Sequence, residues 1–549
     1  KIILSSNEFL PHRHVLAITF TNRAVGEMKT RIIDALMDFA STNILDQPND
    51  LFCQVVEELE SSPQAVHVKS INLLNKILHN YAAFDISTID KFNQKIIRTF
   101  AFDLKLPLNF EVELDTDHLL NKAVSRLLSK AGKDKVLTKA LVEFALDKAD
   151  NDKSWNIALD LAKVAKLLVN ETEVGFLQDL AKHTLTDFQV LKKSLTKKIK
   201  NAETQIVNLS KQVLDLILSN GIKFSDFSRG SLPKHFFSLS SKNFNTNFNA
   251  QWQKSINSST LYTQKTSPEV ARIIDTISPE LIEAFKLTKT SVYRLRYLKN
   301  IRKNTTPLSV LSLINRELMT IKDEDNLLLI SEFNTIISEE IKNQPAPFIY
   351  ERIGEKFNHF FIDEFQDTSL LQWNNLVPLI ENAISQQYQN GQQGTLMLVG
   401  DVKQSIYRWR GGLPEQFMDL INDGNPFYLD KEIINLPTNF RSKKEIVEFN
   451  NEFFTYVSKN MRSLFHQQIY KKGSQQKSQQ NEGGYLKIEF LDFNDKQEAS
   501  LKYSKRVFET VTELKKQGYQ EKDICVLTRK KADGIIISNY LQENNINVV

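Results

Sequence analysis

The sequence predicts an α/β fold interrupted by a large, mostly helical insertion. Short apolar runs that lead directly into helix-periodic segments occur at residues 14–40 and again from 359, the alternation expected of a layered α/β domain. Between them, from about 105 to 340, the chain is rich in Leu, Lys, Asp and Glu, arranged as amphipathic helices such as "KVLTKALVEFALDKA". Strand and helix patterns then resume beyond about 436. The expected organisation is a first α/β domain in two parts, 1–105 and 341–435, an inserted helical domain at 106–340, and the opening part of a second α/β domain at 436–549.

Each element has its own signal. "HVLAITF" (14–20) is a buried-strand run, and "TNRAVGEMKTRIIDALMDF" spaces Val25, Met28, Ile32 and Leu36 as one helix face, with Asn22 as a cap. In "FDISTIDKFNQKIIRTFA" (84–101) a strand exit at Ser87–Asp90 leads into a helix. "LKKSLTKKIKNAETQIVNLSKQVLDLIL" is a long helix or a helical hairpin, whose lysine run 192–200 reads as a solvated face. The Asn- and Ser-rich stretch 241–260 is an irregular excursion. "HFFIDEF" and "TLMLVGD" are strands, separated by a helical "TSLLQWNNLVPLIENAI" and a polar loop "QYQNGQQG". "INLPTNFRSKKEIVEFNNEFFTYVS" starts extended and continues as a long helix capped by Thr438 or Ser442. "YLKIEFLDF" alternates as a strand, and "DICVLTRKKADGIIISNYLQENNINVV" reads strand–helix–strand.

The bulk numbers narrow the function classes. At 549 residues the chain is long enough for several domains, and its formal net charge of +4 is close to neutral. A near-neutral balance neither requires nor excludes a locally basic groove. Two distant cysteines, Cys53 and Cys525, provide neither a disulfide framework nor a thiolate cluster, which favours a reducing compartment. No run approaches the ~18 apolar residues of a membrane span. The start, "KIILSSNEFLPHRHV", reads as the tail of a helix, and the end, "QENNINVV", as the first residues of a strand. Both ends are therefore expected to be cuts in a longer protein.

Three polar strand exits or helix starts carry chemistry. "HFFIDEFQDTSLLQW" (359–373) delivers Asp363 and Glu364 side by side. Adjacent carboxylates repel and are costly to bury without compensation, so a cation or solvent must stand beside them. Such a pair at the C-terminal end of a strand fits magnesium–nucleotide chemistry, and equally fits two solvated surface acids. "LMLVGDVKQSIYRWRGG" (396–412) exits through Gly400 and Asp401 and then gathers Lys403, Gln404, Tyr407, Arg408, Trp409 and Arg410. Gln404 can sense a terminal phosphate or its attacking water. Tyr407 and Trp409 can stack on bases, and the arginines can meet phosphates. The bland alternative is an aromatic core contact flanked by surface arginines, for which Trp409 between two arginines is awkward except at a domain seam. In "LPTNFRSKKEI", Arg441 follows Phe440 at a helix start, where it can neutralise a transferred phosphoryl group or serve as an ordinary surface cation.

Taken together, "AITFTNRAVGEMKTRI", "STIDKF", "FIDEFQDTSLLQW", "VGDVKQSIYRWRGG" and "LPTNFRS" resemble, in order, the motifs of superfamily 1 helicases of the UvrD/Rep type, and more closely the RecB/AddA-like branch. The resemblance covers residues 15–100 and 355–450 well, and "ICVLTRKKADGIIISNYLQ" is similar to the family's second motor domain. It implies P-loop NTPase, RecA-like motor domains that use ATP and Mg²⁺ to move 3′ to 5′ on single-stranded DNA in bacterial repair and recombination. By the resemblance, Asp363 would hold Mg²⁺ and Glu364 would activate the hydrolytic water. Gln404 would contact the γ-phosphate region, Arg441 would be an arginine finger, and Phe440 would pack near adenine. Phe20, Thr21, Asn22 and Thr88 would lie along single-stranded DNA, with Tyr407, Trp409 and Arg410 extending that surface. The resemblance further implies duplex junctions as substrates, a nuclease or recombination partner protein, no membrane, and a cytoplasmic location.

One motif departs from the family. No G-x-x-x-x-G-K-[ST] loop occurs in the 549 residues, so the amides and lysine that would surround the phosphates are not in this sequence. Truncation is the expected reason, because the downstream motifs are intact. The final "KGLE" and arginine motifs would likewise lie past residue 549. On this reading the complete protein is a helicase, and these residues alone are at best a weak ATPase. The rivals are a non-catalytic DNA-binding or regulatory protein that kept the motor fold, and an RNA-directed motor.

Overall fold

The computed structural model describes residues 1–107, 109–149, 156–343, 356–386, 393–473, 475–479 and 482–549. Most of the polar loop expected at 387–394 lies outside the described residues. Two compact units are formed, Lys1–Lys431 and Glu432–Val549.

The first unit is organised by a parallel four-stranded sheet of β1 (Val15–Thr19), β2 (Ile86–Thr88), β5 (His359–Ile362) and β6 (Thr395–Leu398), in the order β2-β1-β5-β6. Its register explains why these strands read as almost continuous apolar runs. Leu16 pairs with Phe360 and Ile18 with Ile362, while Ala17 pairs with Phe361 between them. Alternate residues point to opposite faces, and β1 is packed on both of them, whereas the edge strand β6 leaves Thr395 and Met397 exposed. Leu16, Ile18, Phe360 and Ile362 join a core with Phe92, Ile96 and Ile97 of the Ile89–Thr99 helix and Leu376, Leu379 and Ile380 of the Leu370–Ser385 helix. Ala17 and Ile86 face a second cluster with Leu36, Phe39, Phe52 and Ile77, against which Phe361 also packs. All four strands run the same way, so their polar exits open along one edge of the sheet, where ligands of open α/β sheets bind.

Helices dominate the region between β2 and β5. The chain leaves through β3 (Glu111–Glu113) and returns through β4 (Leu327–Leu329), two short strands that pair in parallel. Between them, the 35-residue helix Leu185–Ser219 packs along the 42-residue helix Pro268–Ser309, so the first is one continuous helix rather than a hairpin. A capping box at Thr184 and Asp187 starts it. Ile206, Val213 and Ile217 meet Phe236, Ile274, Leu281 and Phe285 in this region's own core. The following helix, Ile330–Asn343, contributes Phe333 and Ile337 to the core under the sheet. Stretch 241–260 is irregular apart from one short turn of helix, Gln251–Lys254.

The second unit contains the helices Lys444–Ser458, Leu464–Gly473, Lys496–Lys516 and Lys531–Glu543, and a two-residue pairing of β7 (Thr438–Asn439) with β8 (Lys477–Ser478). Three expectations are corrected here. Residues 485–493 and the flanks of the Lys531–Glu543 helix form no strand. A strand needs a neighbour's hydrogen bonds and a face to bury, whereas Tyr485 and Phe490 are 81% and 91% exposed. The cap of the Lys444–Ser458 helix is Lys443, with no side-chain capping bond, rather than Thr438 or Ser442. In the first unit, the helix Asn22–Ala40 is capped by Thr21, whose hydroxyl accepts from the backbone N–H of Ala24 at 3.1 Å, and Asn22 is its first residue. Among the described residues no helix is long and apolar enough to cross a membrane.

Candidate functional site

The site begins where β5 ends. The Asp363 N–H donates to Ile18 O at 2.9 Å and so still belongs to the sheet. Glu364 then turns into the left-handed region, with φ 53° and ψ 40°, an uncommon conformation for a residue with a side chain. This reversal keeps both carboxylates at the sheet edge, because the chain does not run on as a strand. Burial pushes the Asp363 carboxyl above its ordinary range, and the charge of Glu364 adds to that against a backbone hydrogen bond from Glu364.

The buried Gln366 joins the two strand exits. Its amide Nε2 donates to Glu364 Oε2 at 2.6 Å, and its Oε1 accepts the backbone N–H of Asp401 at 3.0 Å. A side chain at Gly400 would bring its Cβ within 2.5 Å of Gln366 Oε1, so the approach of the two loops requires glycine there. Asp401 in turn accepts from Lys403 Nζ at 2.9 Å and from Gln404 Nε2 at 3.1 Å. Burial opposes its ionisation, but the charge and hydrogen bonds of Lys403, with the bond from Gln404, together hold the carboxyl below the ordinary range. Asp363, Glu364, Gln366, Asp401 and Gln404 thus form one polar chain across the edges of β5 and β6.

A second cluster lies on the same edge. The Phe20 and Tyr407 rings are 4.5 Å apart, Tyr407 and Trp409 are 6.3 Å apart, and the Arg410 guanidinium lies 5.6 Å from the Phe20 centroid. Trp409 is 75% exposed, which does not fit an aromatic core contact. Arg410 Nη2 meets Asp90 Oδ2 at 3.2 Å, and burial, partly offset by Arg410, raises the Asp90 carboxyl. Of the other expected contacts, Thr21 and Asn22 are exposed beside Phe20. Thr88 is buried, and its hydroxyl caps the Ile89–Thr99 helix by accepting from Lys91 N at 3.3 Å. Phe440 and Arg441 belong to the second unit, where Asn439 Oδ1 accepts the backbone N–H groups of Arg441 and Ser442 at 3.0 and 2.9 Å.

Buried polar residues tie the two clusters together, and sequence reasoning passed over them. Asp367 is buried, which raises its carboxyl, and it accepts from the backbone of Ile406 and Tyr407 and from Ser405. Thr368 O accepts Leu413 N at 3.1 Å and Gln416 Nε2 at 2.6 Å. The loop bearing Tyr407, Trp409 and Arg410 is therefore bonded to the turn that follows the two acids. From the helical region, Glu171 bonds Asn334 and accepts from Ser369 Oγ at 2.8 Å. Asn334 also accepts from Asn93 Nδ2 at 2.7 Å. Gln366 and Asp367 had a readable signal, being polar residues held under the strand exit. Glu171 had none, because its partner Ser369 lies 198 positions away.

The donor set suits a hard divalent cation. Asp363 and Glu364 are part-exposed oxygen donors, and no group of three or more His, Cys, Asp or Glu able to hold a metal gathers among the described residues. Two open carboxylates, with no closed cage, fit Mg²⁺ completed by water and phosphate oxygens.

Both units match models of one protein family. The model of the UvrD/REP helicase N-terminal domain matches residues 3–425, and that of the UvrD-like helicase C-terminal domain matches residues 434–549. Similar proteins include an ATP-dependent helicase/nuclease subunit of Listeria monocytogenes serotype 4b, 24% identical over 476 residues, with 80% of this chain and 35% of that protein covered. The protein of the same name from Clostridium beijerinckii is 26% identical over 480 residues, covering 81% of this chain and 35% of its own. That of Lactobacillus helveticus is 24% identical over 600 residues, covering 97% and 45%. The chain therefore spans between about a third and a half of the length of these relatives. With domain models of one family matching both units, the chain belongs to the UvrD/REP helicase family.

Proposed function

We propose that this chain is the motor portion of an ATP-dependent DNA helicase of repair and recombination, built on P-loop NTPase, RecA-like domains with a helical domain inserted at 106–340. The observation that supports it best is the Gln366 link, which joins the Glu364 carboxylate to the Asp401 backbone and so to Gln404. A change at the acids can thereby reach the loop carrying Tyr407, Trp409 and Arg410.

In this reading Asp363 holds Mg²⁺ and Glu364 accepts a proton from the attacking water. Bound Mg²⁺ would supply charge neutralisation for the phosphate oxygens. Gln404, released from Asp401, reads the presence of the terminal phosphate. Arg441 neutralises the transferred phosphoryl group as an arginine finger, and Phe440 packs near adenine. Phe20, Tyr407 and Trp409 stack on bases without choosing among them, and Arg410 exchanges Asp90 for a phosphate. Directional 3′ to 5′ movement, a cytoplasmic location and assembly with a partner protein belong to the same proposal. They are supported by the family and by the words "helicase/nuclease subunit" in the relatives' names.

The test is ATP hydrolysis and strand separation by the protein expressed from its complete reading frame, with single-stranded DNA or RNA as stimulant. The expected result is hydrolysis stimulated by DNA and abolished by Glu364→Gln, with DNA binding retained. Stimulation by RNA alone, or nucleic-acid binding with no hydrolysis, would replace this reading by one of its rivals.

A further inference from the structure

We infer that the exposed face of the Ile89–Thr99 helix is a second phosphate-binding track, which carries a nucleic-acid single strand onward from the Phe20–Tyr407–Trp409–Arg410 cluster. The inference rests on the proposed function and adds a surface to it. The buried side of this helix is fixed in the sheet core through Phe92, Ile96 and Ile97. Its outer side carries Lys91, Gln94, Lys95, Arg98 and Thr99, which line a shallow groove of about 400 Å³. These positions recur at three- and four-residue spacing and so form one stripe.

The cations of this face differ in whether an acid holds them. Asp85 is shared by Lys95, at 2.6 Å, and Lys356. Asp90 is occupied by Arg410. Lys91 and Arg98 have no acidic partner among the described residues, and the Arg98 guanidinium is held 5.0 Å from the Phe110 ring centroid. The groove therefore has an uncompensated positive charge at each end, with the Gln94 amide between them. The helix also starts at the nucleic-acid cluster. Asp90, which holds Arg410, lies one turn before Gln94 on the same face, and the eight steps from Asp90 to Arg98 extend about 12 Å along the helix axis. A strand leaving Arg410 in that direction meets Lys91 and Arg98 in turn. Cationic side chains without a stacking ring suit a sugar–phosphate backbone rather than bases.

The test is fluorescence anisotropy of the 549-residue chain on labelled oligothymidylates of about four and about twelve nucleotides, across a range of salt. Lys91→Ala with Arg98→Ala should weaken binding of the longer strand about tenfold and lower its salt slope by about 1.4, at ~0.7 per lost phosphate contact. Binding of the shorter strand should not change. Lys91→Arg with Arg98→Lys should restore the slope, which separates charge from folding. An unchanged slope on the longer strand, a loss equal on both lengths, or an equal loss from the control pair Lys197→Ala with Lys198→Ala would each overturn the inference. Trp409→Ala in the same assay separates the two claims. If it weakens binding while the groove variant does not, the track fails and the proposed function stands. If neither variant matters, both fail.

Discussion

Gln366 donates its side-chain amide to Glu364 at 2.6 Å from a position with no solvent exposure. The same amide group's oxygen receives the Asp401 N–H. Gln366→Leu should therefore leave the part-buried Asp401 N–H without its partner and cost about 1–3 kcal/mol, read as a lower urea midpoint at unchanged m-value. Gly400→Ala should cost a similar ~1–3 kcal/mol through overpacking, since its Cβ would also meet Phe417 Cε1 at 3.0 Å. The clash is with Gln366 itself, so the double variant should lose less than the sum of the singles.

Asp363 pays in stability for its position. Burial raises its folded-state pKa above the unfolded value, so the folded chain binds the extra proton and loses stability as pH rises through that window. Asp363→Asn should then raise the thermal midpoint at pH 7, with an advantage that shrinks as pH falls below the carboxylate range. Magnesium-dependent nucleotide binding should disappear in the same variant. Thermal scans at several pH values, with and without Mg²⁺–ATP, check both outcomes.

Trp409 is exposed, so its removal should separate binding from stability. Trp409→Ala should cost about 1–3 kcal/mol in single-strand affinity and leave the thermal midpoint unchanged. Phe20→Ala should behave differently, because Phe20 contacts both Tyr407 and Arg410. Its effect on affinity should be non-additive with that of Arg410→Ala in a double-mutant cycle.

His235 gives the helical region a pH limit. It is enclosed by Phe236, Phe248, Trp252 and Phe285, at ring distances of 5.2–5.7 Å, and burial lowers its pKa to about 4. The folded protein therefore holds this ring neutral where the unfolded chain would protonate it. Stability is fully present above the unfolded value of about 6.5 and is lost as pH falls toward 4, by about 3 kcal/mol in all. His235→Phe should flatten that slope in helical-signal denaturation curves between pH 7 and 4.

The sheet was readable because its strands spell apolar runs that end in polar residues, most clearly in β1, which is packed on both faces. Asp363, Glu364 and the Tyr407–Arg410 loop stood out for the same reason. Sequence periodicity alone was less reliable at residues 485–493, where alternation describes a face but cannot supply the neighbouring strand that a ladder needs. The left-handed turn at Glu364 was also hidden, since nothing in the residue's chemistry favours it and its neighbours impose it. Thr21 and Asn22 are both good caps by chemistry. Only the extended backbone of Thr21, φ −125° and ψ 147°, decides between them. Glu171 was beyond reach because its contacts depend on how the whole helical region returns to the sheet.

That return has a kinetic side. β1 must find β5 across more than 300 residues, a closure whose entropic cost grows slowly with length but which delays native pairing. The β3–β4 pairing joins Glu111 to Leu327, so once the helices between them have condensed on their own core, the two ends of the excursion already lie side by side. The chain left to search is then only the short approach on either side. Lesions in the Ile206–Phe285 core should therefore slow assembly of a sheet they never touch.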